Sequence, residues 1–333
     1  MSTNRRSNEM RATALRVGAV ALVIIFLISL LMLMANLFEK HNSQYDGDGV
    51  ILEETVIHNG KKFVLNDNVE TILMLGLDKF DGDKNESYNN DKQADFLMLF
   101  VLDHKEQTCR AIHLNRDAMV EMNILGVAGD KVGSVTKQLA LAHTYGNGKE
   151  VSCRNTANAV SKMLMGVEID HYVSVTMDAV STYNDFIGGV TLEVMDDFTG
   201  IDDSLVKGEV VSLTGEQALV YVRSRYGLDD PTNNSRMKRQ KQYLETLYEK
   251  THQLISEDET FISQAALTVA DYLVSDCSGN KLEDLLKRIS NYELNTIIDI
   301  PGKTVMGEKF LEFYPDKGSI NEIVIESFYK MEE

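Results

Sequence analysis

Apolar positions along this chain take three forms: one very long run, several short unbroken runs, and stretches with helical spacing. The short runs read as buried strands. They are TILMLGL (71–77), FLMLFVL (96–102) and CRAIHL (109–114), with DHKEQT joining the last two as a hairpin turn. Lys79 to Gln93 is rich in Asp, Asn, Gly and Lys and has no period, which predicts an exposed loop. Helical spacing runs from Ser134 to His143 and from Glu150 to Met165. HYVSVTM (171–177) alternates as a strand, Asp178 to Ile187 returns to helix, and Gly188 and Gly189 stop it before the strand VTLEV. Thr214 predicts an N-cap for a helix over 215–221, because its hydroxyl can accept a free first-turn amide. Ser235 opens a long helix to about Leu254, and 259–274 and 281–291 predict two more. TIIDIP is a last strand, followed by a short terminal segment. Strands interleaved with helices predict an α/β fold, a three-layer α-β-α domain built on one central mixed sheet.

The long run, Val17 to Phe38, contains no charged residue. As a helix at ~1.5 Å per residue it would extend ~33 Å, enough for a hydrocarbon core of about 30 Å. Arg5, Arg6, Arg11 and Arg16 precede it, so the positive-inside bias places the N-terminus in the cytoplasm and the remainder outside. A cleaved signal peptide is disfavoured, since the run is too long and no small-x-small site follows it. The expected organisation is a cytoplasmic tail (1–16), a transmembrane helix (17–38), a stalk (39–68) and an extracellular domain (69–333).

Composition changes this picture in one respect. The chain carries 33 Lys+Arg against 51 Asp+Glu, a formal net charge of -18, which argues against nucleic acid as a partner. Yet YVRSRYGLDDPTNNSRMKRQ gathers Arg223, Arg225, Arg236 and Arg239 beside Gln240, and Arg116 lies upstream in LNRD. Guanidinium forks match phosphate oxygens two at a time, so a cluster within an acidic chain points to a local anion site. The three cysteines, Cys109, Cys153 and Cys277, show no disulfide framework or metal spacing.

Arg223 and Arg225 are two apart, facing differently on a helix but together in extended chain; RSR is expected where the preceding helix unwinds. Arg236 and Gln240 share a helix face in its first turns, with Arg239 adjacent. Asp78 closes one strand run and Asp95 opens the next. If those strands are neighbours, the two carboxylates could meet at one rim of the sheet and supply hard oxygen ligands for Mg²⁺. Blander readings stand beside each: turn-capping aspartates, a strand-end Arg116, and ordinary charged helix faces. Walker, GxGxxG, HExxH and GxSxG motifs are absent from the sequence. His113, inside a strand run, reads as a core residue, and the Asp196–Asp197 and Asp202–Asp203 pairs as a solvated acidic loop.

The segments TILMLGLD, QADFLMLFVLD, IHLNRDAMVEM, IDHYVSV, DFIGGVTLEV, LTGEQALVYVRSR and SRMKRQKQYL together resemble, in order, the LytR-CpsA-Psr family of membrane-anchored cell-wall phosphotransferases. The resemblance implies transfer of a glycan phosphate from a polyprenyl-pyrophosphate carrier to peptidoglycan at the outer membrane face. Asp78 and Asp95 would match the family's magnesium-binding acids, Arg116 the arginine of its PRD motif, and Arg223 and Arg225 its RxR pair. Arg236 and Gln240, with Arg239 as a weaker match, would correspond to later pyrophosphate-contacting residues. Two departures stand out: Gln93 where the family commonly has arginine, and Asn115 where it has proline. The implied partners are the lipid-linked glycan, peptidoglycan and membrane lipid. A pyrophosphatase of the same lipid and a noncatalytic anchored binder are the competing readings.

Overall fold

The computed structural model describes residues 52–77, 92–258, 260–276 and 292–332. The expected transmembrane segment 17–38, the expected helix 281–291, Asp78 and Cys277 lie outside them. Among the described residues no helix is long and apolar enough to cross a membrane.

The strands are β1 (Thr55–His58), β2 (Lys61–Leu65), β3 (Val69–Leu77), β4 (Ala94–Asp103), β5 (Thr108–His113), β6 (Met119–Leu125) and β7 (Lys131–Gln138). After helix α1 (Glu150–Met163) come β8 (His171–Thr176), α2 (Asp178–Phe186), β9 (Thr191–Glu193), β10 (Val210–Ser212), α3 (Gly215–Arg223), α4 (Asn233–Glu257) and α5 (Phe261–Val269). The rest comprises β11 (Leu273–Ser275), β12 (Glu293–Asp299), β13 (Gly302–Met306), β14 (Leu311–Pro315), α6 (Lys317–Phe328) and β15 (Tyr329–Met331).

The central sheet is six-stranded in the order β11-β8-β3-β4-β5-β12. It is mixed: β3 runs parallel to β8 and antiparallel to β4, while β12 runs parallel to β5. The unbroken apolar runs of β3 and β4 have a direct cause, since both faces of these strands are covered. Leu73, Leu75, Leu97 and Leu99 face a core shared with α1 and α6. Ile72, Phe96, Met98 and Phe100 face the opposite core, shared with α2, α3, α4 and α5. The expected three layers are therefore present, and His113 is a buried residue of the sheet, 1% exposed and packed on Phe96.

Several local expectations match. Thr214 caps α3 in a reciprocal box with Gln217, which satisfies two amides at once. Gly189, at φ +86°, ends the α2 turn where a Cβ would lie 2.7 Å from Leu213 O. Other expectations are corrected. Residues 134–143 are not a helix: β6 and β7 form an antiparallel hairpin whose exposed face tolerates polar residues, and only 139–144 turn as a 3-10 segment. The helix expected over 259–274 ends at Val269, and Leu273–Ser275 becomes the edge strand β11 beside β8. Residues 55–65, expected in the stalk, form a hairpin that β15 extends into a three-stranded sheet. The terminal segment is thus an integral strand, hairpin, helix and strand. Cys109 and Cys153 are both buried free thiols.

Candidate functional site

Leu77, the last residue of β3, pairs with Ala94, the first of β4. The two strands are neighbours, as the placement of Asp78 and Asp95 requires, although Asp78 itself lies outside the described residues. Asp95, the second residue of β4, has a side chain 11% exposed, and two arginines reach it. Arg116 Nη1 is 3.0 Å from Asp95 Oδ1, and Arg236 Nη1 is 3.7 Å from the same oxygen. Asp95 Oδ1 nevertheless accepts no hydrogen bond.

Arg116 sits in a tight turn after β5, closed by Ala118 N donating to Asn115 O at 3.0 Å. The turn is clamped from both sides. Ala140 N donates to Arg116 O at 2.9 Å, and Phe313 N donates to Asp117 O at 2.9 Å. Arg116 Nη2 also donates to Gln93 Oε1.

Arg223 is the last residue of α3, and Ser224 leaves the helix at φ -58°, ψ 139°. RSR does lie where the helix unwinds, but its two arginines have different fates. Arg223 is exposed. Arg225 turns inward, with Nη2 3.1 Å from Asp117 Oδ2 and Nε donating to Pro231 O at 2.9 Å. Asp117 was not singled out from the sequence; its place beside Arg116 was the available signal.

Helix α4 begins at Asn233, two residues before the expected start, and Ser235 Oγ instead donates to Asp196 Oδ2 at 2.7 Å. Arg236, 3% exposed, donates through Nε to Asn233 Oδ1 at 3.0 Å. Burial pushes the Arg236 guanidinium down to about 10; Asp95 counters this, while Arg116 and Arg225 add repulsion. It remains a cation at neutral pH. Gln240, 4% exposed, donates to Val222 O at 3.1 Å.

Arg239 occupies a different position from its neighbours. Its side chain is 1% exposed and lies against the Phe198 ring. Nε donates to Tyr221 O at 2.9 Å, Nη1 to Ser235 Oγ at 3.1 Å and to Asp196, and Nη2 to Ser224 O. It therefore satisfies carbonyls at the C-terminal end of α3, the groups a helix leaves unpaired, and pins α3 to α4. Asp196, expected in a solvated loop, is its counterion. Asp197, Asp202 and Asp203 do cap exposed turns through Thr199, Ser204 and Gly200.

Three guanidiniums, of Arg116, Arg225 and Arg236, thus crowd around two carboxylates, Asp95 and Asp117. The surplus is positive, in a setting that screens charge poorly. Arg116 Nε is buried and makes no hydrogen bond. Such a cluster can take up an anion.

Next to it, between the sheet and helices α2 to α5, lies a cavity of about 100 Å³. Met74, Phe96, Met177, Val180, Tyr183 and Leu247 are among the residues that line it. Gly76 forms part of its wall; a Cβ there would stand 2.8 Å from Phe96 Cβ. Gln240 and Val222 line the cavity too, and their mutual hydrogen bond joins it to the arginine segment. Among the described residues no group of three or more His, Cys, Asp or Glu is arranged to hold a metal ion. Asp95 still offers a hard oxygen, and Mg²⁺ bound through phosphates needs only one or two carboxylates.

The chain is 25% identical over 292 residues to Biofilm regulatory protein A of Streptococcus mutans, covering 83% of this chain and 68% of that protein. It is 31% identical over 187 residues to polyisoprenyl-teichoic acid–peptidoglycan teichoic acid transferase TagV of Bacillus subtilis, covering 54% of this chain and 43% of that one. The chain thus spans less than half the length of TagV. The fold is similar to the crystal structure of B. subtilis TagV (TM-score 0.58, 23% identity, 78% of this chain and 97% of that one). It is also similar to TagT bound to LI-WTA (TM-score 0.58, 21% identity, 86% and 97%). The LytR_cpsA_psr family model matches residues 32–324, so this chain belongs to the LytR-CpsA-Psr family.

Proposed function

We propose that this protein transfers a glycan phosphate from a polyprenyl-pyrophosphate carrier to peptidoglycan at the outer face of the membrane. The observation that carries the reading is the positive surplus around Asp95 and Asp117, set against an apolar cavity through the Gln240–Val222 link. A lipid diphosphate has the same two parts, an anionic head and a hydrocarbon tail. The similarity to TagV, a polyisoprenyl-teichoic acid–peptidoglycan teichoic acid transferase, supports the same substrate class.

In this reading Arg116, Arg225 and Arg236 bind and orient the diphosphate, with Arg223 at the exposed rim and Gln240 at the junction with the tail. Arg239 acts from behind, holding the end of α3. The acceptor sugar hydroxyl attacks the glycan-bearing phosphorus, the P–O bond to the bridging oxygen breaks, and polyprenyl phosphate leaves carrying the proton that the hydroxyl gives up. Such chemistry depends chiefly on positioning and on charge stabilisation in a site closed to water. Asp95, together with Asp78, would hold Mg²⁺, which supplies neutralisation of the diphosphate charge. The segment 17–38 would tether the domain to the bilayer from which the carrier is drawn.

The test supplies the full chain, purified in detergent, with a polyprenyl-pyrophosphoryl glycan, peptidoglycan fragments and Mg²⁺. The expected product is a phosphodiester-linked glycan, lost on chelation and in Arg116→Ala and Asp95→Ala. Free glycan phosphate would identify a hydrolase instead, and donor bound but never consumed would identify a binder. Either variant transferring as well as wild type would reject the assigned site.

A further inference from the structure

Behind the arginines runs a relay of asparagine amides. Asn115 and Asn233 are both buried, each 4% exposed. Asn115 Oδ1 accepts two hydrogen bonds at 2.9 Å, from the backbone N–H of Asp117 and from Asn233 Nδ2. Its own Nδ2 donates to Asn234 Oδ1 at 3.1 Å. Asn233 Oδ1 accepts from Nε and Nη2 of Arg236.

The orientation of each amide is fixed by its neighbours. A backbone N–H and a guanidinium can only donate. Asn115 must therefore turn its oxygen to the Asp117 amide, and Asn233 must turn its oxygen to Arg236. The remaining Nδ2 of Asn233 then meets the oxygen of Asn115 without conflict. The relay joins the turn that carries Arg116 and Asp117 to the first turn of α4, where Arg236 sits. It also commits one edge of the Arg236 guanidinium to protein. The end-on fork is left facing the site, with Nη1 3.7 Å from Asp95.

We propose that Asn115 and Asn233 are positioning residues for anion binding: they aim Arg236 and fix its spacing from Arg116 and Asp117, without touching the ligand themselves. This rests on the diphosphate reading of the site and adds to it the residues that set its geometry. A freely rotating arginine would lose side-chain entropy on binding; one held along an edge has already lost it.

The experiment is a double-mutant cycle on the full chain in detergent, with inorganic pyrophosphate as the probe and calorimetry as the readout. Asn233→Ala is expected to weaken binding about tenfold, the size of one hydrogen bond to a charged group. In the Arg236→Ala background the same substitution should change affinity no further, because its effect passes through Arg236. A purely structural role would lower the melting temperature and weaken binding to the same degree in both backgrounds.

Asn115→Ser provides a second arm should Asn233→Ala fail to fold. The shorter hydroxyl still caps the Asp117 amide but falls short of Asn233, so its loss of affinity should also vanish without Arg236. Additive effects, or full affinity in both single variants, would overturn the inference while leaving the site reading intact. A wild-type chain that binds no pyrophosphate would overturn the site reading, and the inference with it.

Discussion

Arg225 Nη2 lies 3.1 Å from Asp117 Oδ2, with side chains 9% and 3% exposed. An ion pair this buried is costly to break, because removing one partner strands the other charge away from water. Asp117→Ala should cost about 3–5 kcal/mol of stability, read from guanidinium chloride denaturation. Asp117→Asn keeps the shape and the contact with Gln138, and should cost less. An Asp117→Ala protein as stable as wild type would show that the pair is solvated.

Arg239 makes a separate prediction, since each of its three guanidinium nitrogens donates to a protein group. Arg239→Ala should destabilise the fold by about 3–5 kcal/mol through Asp196 and the end of α3. Lysine should recover only part of that, because one ammonium cannot reproduce the planar fork. A stable Arg239→Ala protein that has lost pyrophosphate affinity would instead make Arg239 a ligand contact.

The cavity can be tested apart from the arginines. Val180 lines it on α2. Val180→Trp should fill much of the space at an overpacking cost of about 1–3 kcal/mol. Inorganic pyrophosphate should bind as before, while a polyprenyl-linked donor should not. Equal loss of both ligands would mean that the substitution disturbs the head-group site.

Two groups give stability a defined pH dependence. His143 is fully buried, with Nδ1 2.9 Å from Lys92 O. Burial pushes its imidazole down from 6.5 to about 4, against the pull of the Lys92 carbonyl. The unfolded chain therefore takes up this proton first, and stability should fall as pH drops from 6.5 to about 4. Glu70 acts lower: burial raises it, but hydrogen bonds from His171 and His104 prevail and hold it at about 2. Its contribution is present above pH 4.5 and lost as pH falls towards about 2. His143→Gln should flatten the decline in the upper window alone. Denaturation midpoints that track wild type between pH 6.5 and 4 would exclude His143 as the titrating group.

The sheet was legible in the sequence because strands covered on both faces become unbroken apolar runs. TILMLGL and FLMLFVL could be little else. The β6–β7 hairpin was not, since one of its faces is open and its polar residues blur the alternation. β11 escaped because three residues at a sheet edge carry too few apolar positions to register. At the site, the arginines were legible by their clustering within an acidic chain. What arranges them was not: Asn115, Asn233, Asp117 and Asp196 are ordinary polar residues whose importance comes from contacts across 118, 108 and 43 positions. Arg239 is conspicuous in the sequence, yet nothing there foretells that it ties the end of α3 to Asp196 and Ser235.

The pairing of β15 with β2 has a consequence for how the molecule is made. Tyr329 stands opposite Leu65, so the first hairpin finds its hydrogen-bonding neighbour only when almost the entire domain has emerged. Until then β2 presents an open edge, ready to capture any stray strand. Biogenesis therefore has a vulnerable interval that closes with the arrival of three residues.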